Sequence, residues 1–356
     1  MQHTMKNNNT LIIDGHEDIA WNALELGRDV LQSVYEGRAQ EKDNHLGERL
    51  VGFPELLKGR IGLVFATTFV PPASHAKGLD IRVIPQDAQR LHQQQMQYYQ
   101  QLTERTSQIR IVKTWKDVQE VLSSWDSEQP QVGLVMLMEG ADGILEPEDV
   151  GAWYEEGLRI IGLSWAATRY AGGTAAPGGL TKLGRRLLKE MASLNLILDL
   201  SHLAEEAYYE AVDSYESVII ASHANPNRFL PTDRALSDEM INRLVARDGV
   251  IGVIPYNCFL LSDWKRGQPR DKVGLSRLIE AIDTICQIAG SAQHVAIGSD
   301  FDGGFGLDSI PPELDSIADL YKIGDALSQQ GYIQADIEAV LKDNWLRMLK
   351  KSLPTA

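Results

Sequence analysis

The chain predicts an α/β fold, a (β/α)8 TIM-like barrel with a C-terminal helical extension, and three observations carry that expectation. Eight short runs rich in Ile, Val and Leu recur along its 356 residues, each nearly free of charge, as strands buried on both faces require. Most segments between the runs have helical length and periodicity. A barrel of this class typically takes about 250 residues, and more with insertions. A length of 356 therefore fits one barrel with a long first loop and a terminal extension.

The runs occupy residues 10–18 (TLIIDGHED), 61–70 (IGLVFATTFV), 131–140 (QVGLVMLMEG) and 158–165 (LRIIGLSW) in the first half. Residues 195–202 (NLILDLSH), 217–224 (SVIIASHA), 249–256 (GVIGVIPY) and 294–301 (HVAIGSDF) follow. A short apolar run alone is equally compatible with buried helix. Helical segments at 86–104, 183–194, 205–214, 238–247 and 275–289 decide for strands, because strand and helix then alternate along the chain. Residues 27–52 are polar and lack a period, so a loop insertion over the barrel mouth is expected there. The biased stretch QQQMQYYQQ, residues 93–101, reads as the exposed face of a helix whose buried stripe is Leu91, Met96, Tyr99 and Leu102. No linker composition or fixed-period repeat divides the chain, and a single domain over residues 1–356 is expected.

Composition excludes several classes. With 34 Lys and Arg against 49 Asp and Glu, the net charge of −15 repels nucleic acid and anionic membrane surfaces. Cys258 and Cys286 are too few for a disulfide framework, and both sit in apolar sequence where a buried thiol is expected. The N-terminal MQHTMKNNNT has no apolar segment before the first run, so no export signal is expected. No run approaches the roughly 20 apolar residues that span a bilayer. A soluble, cytoplasmic protein is expected.

Five of the eight runs end in groups able to bind or activate a metal ion: His16 and Asp18, Glu139, His202, His223 and Asp300. In a parallel barrel those ends open onto one face. His16 and Asp18 are two apart, so extended backbone points both the same way, as two arms of a zinc shell. Alone, the pair reads first as a His–Asp hydrogen bond. Glu139 closes an apolar run, where an unpaired carboxylate is costly and calls for a cation, donors or water. Its two oxygens suit a bridge between metals, with backbone N–H groups of the next loop as the equal alternative. His202 and His223 take the same place on successive runs. Either alone reads as a structural histidine; together with Glu139 they make a second set of three ligands. Asp300 would neighbour His16 in a closed barrel and is expected to act as general acid/base toward water and leaving amine. Asp302 reads as a turn residue, and Asp199 as a support behind the ligands.

The motifs IDGHED, FPELLKGRIG, MEGAD, LDLSH, ASHANP, DRALSDE, GVIGV, IGSDFDG and NWLRML span residues 13–349. Together, and in this order, they resemble the renal (membrane) dipeptidase family of zinc peptidases, in its bacterial-type form. The resemblance implies two zinc ions per chain, the first on His16 and Asp18, the second on His202 and His223, with Glu139 bridging both. It also implies Asp300 as the catalytic aspartate, Arg234 as the residue holding the substrate's terminal carboxylate, a dipeptide as substrate, and a homodimer. Pattern alone reads Arg234 as a solvated loop charge, whereas a guanidinium suits bidentate carboxylate recognition once the family is admitted. One departure is Trp165 in GLSWAATRY, where some relatives have a histidine directed at the substrate; an indole offers a single N–H. Tyr256 reads as a packed rim residue or a pocket wall. The competing readings are a barrel amidohydrolase acting on N-acyl amino acids or lactones, a phosphate-binding barrel, and a noncatalytic metal-binding scaffold. Many of the amidohydrolases carry H-x-H on strand one with a carbamylated lysine, where this chain has H-x-D and Glu139.

Overall fold

The computed structural model describes residues 10–41, 46–71 and 84–356. The stretch 1–9, most of the segment read for an export signal, lies outside the described residues, as does the 42–45 part of the expected insertion. Strands β1 (Ile12–Glu17), β2 (Ile61–Phe69), β3 (Val132–Glu139), β4 (Leu158–Gly162), β5 (Ile197–Asp199), β6 (Ile219–Ala221), β7 (Val250–Val253) and β8 (Val295–Ile297) pair in parallel in chain order. The last returns to the first through Asp14 opposite Ile297, which closes the barrel. All eight apolar runs thus become staves.

Two features were not legible as runs. A strand at Ile109–Ile111 pairs with residues 132–134 of β3, on the edge that β4 takes over from Met136 onward. An antiparallel hairpin of Ala171–Gly173 and Ala176–Leu180 follows β4. The observed helices Pro85–Arg105, Lys182–Ser193, Glu205–Ser214, Asp238–Ala246 and Leu275–Ala289 match the expected ones within one residue at either end. Side-chain caps fix several starts: Thr181 accepts the Gly184 N–H at 3.0 Å and Ser237 the Met240 N–H at 3.2 Å. In the first of these helices Met96, Tyr99 and Leu102 are buried as expected, but His92 and Gln95 share the stripe and Leu91 is only half-buried.

The insertion at 27–52 is not wholly irregular, since it carries the helix Val34–Gln40, capped by Ser33. Helices Tyr321–Gln329, Gln334–Glu338 and Asn344–Ser352 form the C-terminal extension. The two thiols are free; Cys286 is buried and Cys258 only half-buried.

Two apolar layers hold the staves. Each of the eight strands contributes to one buried cluster, through Ile13, Leu63, Phe65, Val135, Leu137, Ile160, Ile197, Ile220, Val250 and Ala296. Trp345, Met348 and Leu349 of the last helix join the cluster. The second, larger cluster lies between staves and surrounding helices. No helix among the described residues is long and apolar enough to cross a membrane.

Candidate metal centre

The apolar runs are longer than the strands they produce, and the difference builds the site. β5, β6 and β8 stop at Asp199, Ala221 and Ile297, so His202, His223 and Asp300 sit in the turns that follow. His202 (φ 66) and Asp300 (φ 54) adopt the left-handed region, where a residue with a Cβ is strained by roughly 1–3 kcal/mol. Asp18 begins the helix Ile19–Leu26 at the position where an aspartate normally caps, yet its side chain makes no cap hydrogen bond. Its carboxylate is left for the barrel mouth.

Glu139, the last residue of β3, stands between two groups of side chains. Its Oε1 lies 3.2 Å from His202 Nε2 and 3.3 Å from His223 Nε2, while its Oε2 lies 3.8 Å from His16 Nε2. His16 Nε2 is in turn 4.0 Å from Asp18 Oδ1 and from Asp300 Oδ1. Candidate ligand atoms of His16, Asp18 and Glu139 fall within 4.8 Å of one another; so do those of Glu139, His202 and His223, and those of His16, His223 and Asp300. All five expected ligands and Asp300 therefore come together from sequence positions nearly 300 apart.

The donor set fits cations better than it fits itself. His16 Nε2, Asp18 Oδ1 and Glu139 Oε1 are buried without a hydrogen-bond partner, and such groups are rare because each costs free energy. His202 Nε2 and His223 Nε2 face each other at 2.9 Å, and at most one proton fits between them. Burial pushes the His16 imidazole down to about 3 and holds His202 and His223 well below the ordinary range, so the rings are neutral. Burial also pushes Asp18 up to about 7, and burial with the nearby Asp18 carboxylate holds Glu139 and Asp300 well above the usual carboxylate values. Positive charge placed among them reverses that penalty.

A cavity of about 420 Å³ opens over this cluster, within the range of small-molecule sites. It is lined by Asp18, Glu139, His202, His223, Arg234 and Asp300 together with two aromatic groups. Trp21, Phe69 and Trp165 form the first, with centroids 6.2 and 5.9 Å apart in turn. Tyr256, Phe259 and Phe305 form the second, where Tyr256 stacks on Phe305 at 4.3 Å. Trp165 also lies 5.5 Å from the His202 ring, so the departure noted in the sequence is beside a candidate ligand.

Arg234 is not the solvated loop charge that pattern alone suggests. It is buried at the pocket, its Nη2 donates to the His223 carbonyl at 2.8 Å, and its guanidinium lies 5.6 Å from the Phe259 ring. Asp302 serves structure: it accepts the Leu50 and Val51 N–H groups at 2.8 and 3.1 Å and pairs with Arg28 at 3.2 Å. Those bonds tether the insertion whose Leu46 reaches the pocket. Asp199 accepts from both the backbone and hydroxyl of Ser222. Ser222, Thr174 and the aromatic walls outside Trp165 and Tyr256 carry no mark in the sequence; the first two reveal themselves only through bonds to histidine Nδ1 atoms at 2.8 and 2.9 Å.

A closed parallel barrel with a histidine–carboxylate cluster under a pocket at the C-terminal strand ends defines a metal-dependent hydrolase. The family described as membrane dipeptidase (peptidase family M19) matches residues 3–354, and the chain belongs to that family. It is a metallopeptidase of the dipeptidase type. Its relatives include an uncharacterized protein in the pqqA 5' region of Klebsiella pneumoniae, 34% identical over 63% of this chain and 83% of the relative. The dipeptidase aclJ of Aspergillus oryzae is 24% identical over 95% of this chain and 77% of its own length. Among solved structures, a metallo peptidase from Rhodobacter sphaeroides liganded with a phosphinate mimic of the dipeptide L-Ala-D-Ala superposes with a TM-score of 0.80. It is 23% identical, with 97% of this chain and 100% of that chain covered, and supports the fold.

Proposed function

We propose that this protein hydrolyses dipeptides using two zinc ions, one held by His16, Asp18 and Glu139, the other by Glu139, His202 and His223. The observation that carries the reading is the division of the Glu139 carboxylate, with one oxygen facing His202 and His223 and the other facing His16. Metal ions bound there supply Lewis-acid polarisation of the scissile carbonyl and lower the pKa of the attacking water.

The chain's own groups do the rest. Asp300, at the pocket and 4.0 Å from His16 Nε2, takes the proton from the attacking water and delivers it to the leaving amine. Arg234 receives the substrate's C-terminal carboxylate, for which a guanidinium fork is the matching donor. Its bond to the His223 carbonyl fixes where that fork stands relative to the ligands. The charged lining residues among those described are Asp18, Glu139, Arg234 and Asp300, each already given a task, and the remaining walls are largely aromatic. Dipeptides with uncharged, apolar side chains are therefore the favoured substrates. The ligand of the Rhodobacter sphaeroides relative makes Ala-Ala diastereomers the first compounds to test.

The test is a zinc-reconstituted screen of L,L and L,D dipeptides, N-acyl amino acids and lactones. Turnover of dipeptides, with KM raised about 10-fold or more by Arg234→Ala, is the expected result. Turnover confined to N-acyl amino acids or lactones would overturn the substrate assignment.

A further inference from the structure

Ser222 is a small residue on the carboxyl side of β6, and its surroundings are unusually complete. Its N–H donates to Asp199 Oδ1 at 2.8 Å and its hydroxyl donates to Asp199 Oδ2 at 2.5 Å. The same Asp199 Oδ1 accepts the Ser201 N–H at 3.0 Å, and Ser201 Oγ accepts the His223 N–H at 3.1 Å. Its carbonyl oxygen lies against Gly252 and Gly298, where a Cβ on either glycine would come within 1.9 Å of it. Backbone and side chain are thus held from three strands at once.

The proton count around its oxygen is decisive. A serine hydroxyl has one hydrogen to give and two lone pairs to offer. The hydrogen is taken by Asp199, so the oxygen can only accept from its other neighbours, the two imidazoles and, at 3.4 Å, the Ser201 hydroxyl. His223 Nδ1 lies 2.8 Å away and His16 Nδ1 3.3 Å away. Both rings then carry their hydrogen on Nδ1 and present the Nε2 lone pair to the pocket, the form in which a neutral imidazole binds a metal. His202 has a separate partner, with Nδ1 at 2.9 Å from Thr174 Oγ1.

We infer that Ser222, set as an acceptor by Asp199, is the positioning residue that fixes the ligating tautomer of His16 and His223 together, and so couples the two metal pockets. The inference rests on the two-metal reading above. Thr174 acts on one pocket alone, which provides an internal control. Groups behind a metal-binding histidine typically govern about 10- to 100-fold in metal affinity. Both pockets should weaken by that order in Ser222→Ala, with the larger loss on the His223 side, where the contact is shorter.

The experiment is a competition titration of the apoprotein with zinc against a chromophoric chelator, with thermal unfolding of each apoprotein as a folding control. Expected results are two tight zinc equivalents in the wild type, both weakened in Ser222→Ala, and one weakened in Thr174→Val. Asp199→Asn gives a second arm of almost unchanged volume. Its amide can donate to Ser222 and turn the hydroxyl toward the rings, so both equivalents should weaken again. Two unaltered equivalents in folded Ser222→Ala, or loss at one pocket only as in Thr174→Val, would overturn the coupling. A wild type that binds fewer than two equivalents would instead overturn the metal reading on which it stands.

Discussion

The two ends of the barrel are built from the same eight strands and differ in how their polar groups are treated. At the end closed by the last helix, Trp345 fills the interior against Phe65 and its indole N–H donates to the Ile297 carbonyl at 2.8 Å. The neighbouring Asn344 divides its amide between the carbonyls of Ala292 and Val295, both at 2.8 Å. At the other end, His16, Asp18 and Glu139 leave buried atoms without partners. One end satisfies each of these groups and is shaped by stability. The other keeps donors waiting for a cation and is shaped by chemistry, at a cost the apolar interior must offset.

That contrast can be broken by substitution, beginning with its largest expected effect. Glu139→Ala removes the carboxylate common to both candidate pockets; two-metal occupancy should be lost and dipeptide turnover should fall by about 10³-fold or more. Normal zinc content with normal turnover would contradict this. Asp300→Asn should lower turnover by about 10²- to 10⁴-fold with the protein still folded and loaded with zinc, since it removes a proton carrier. Metal analysis beside steady-state rates checks it. At the opposite end, Trp345→Ala should cost about 3–5 kcal/mol of stability by leaving a cavity, while turnover per folded molecule stays near wild type. A denaturation curve and an active-fraction measurement separate the two quantities.

The smallest effect is a pH dependence confined to the apoprotein. Above about pH 7.5 imidazoles are neutral in the folded chain and nearly so in the unfolded one, so the raised carboxylates determine the slope. Folded Asp18 holds its proton up to about 7, and Glu139 and Asp300 are also raised, whereas the unfolded chain has released those protons. Apoprotein stability should therefore decline as pH rises beyond about 7.5, and added zinc should abolish the decline. Thermal melts from pH 7.5 to 8.5, with and without zinc, test the sign.

The barrel was legible because its staves are buried on both faces and so appear as unbroken apolar runs. The site was legible for a related reason: His202, His223, Glu139 and Asp300 terminate such runs, and a polar group there is conspicuous. Run length misled about strand length, because the last residues of several runs turn out of the sheet through left-handed backbone that apolar content does not encode. The hairpin at 171–180 was missed because AGG and APGGL carry no alternation. Ser222 was missed because a serine inside an apolar run has no distinguishing mark; its meaning comes from Asp199, His16 and His223, which only the closed barrel brings to it. Arg234 looked solvated because loop context gives no burial signal, and the pocket over the cluster supplied it.

The most direct measurement of the central claim is anomalous diffraction at the zinc edge from crystals of the zinc-loaded protein. Two peaks are predicted, one beside each oxygen of Glu139, the first against His16 and Asp18 and the second against His202 and His223. A single peak, or peaks remote from Glu139, would contradict the account.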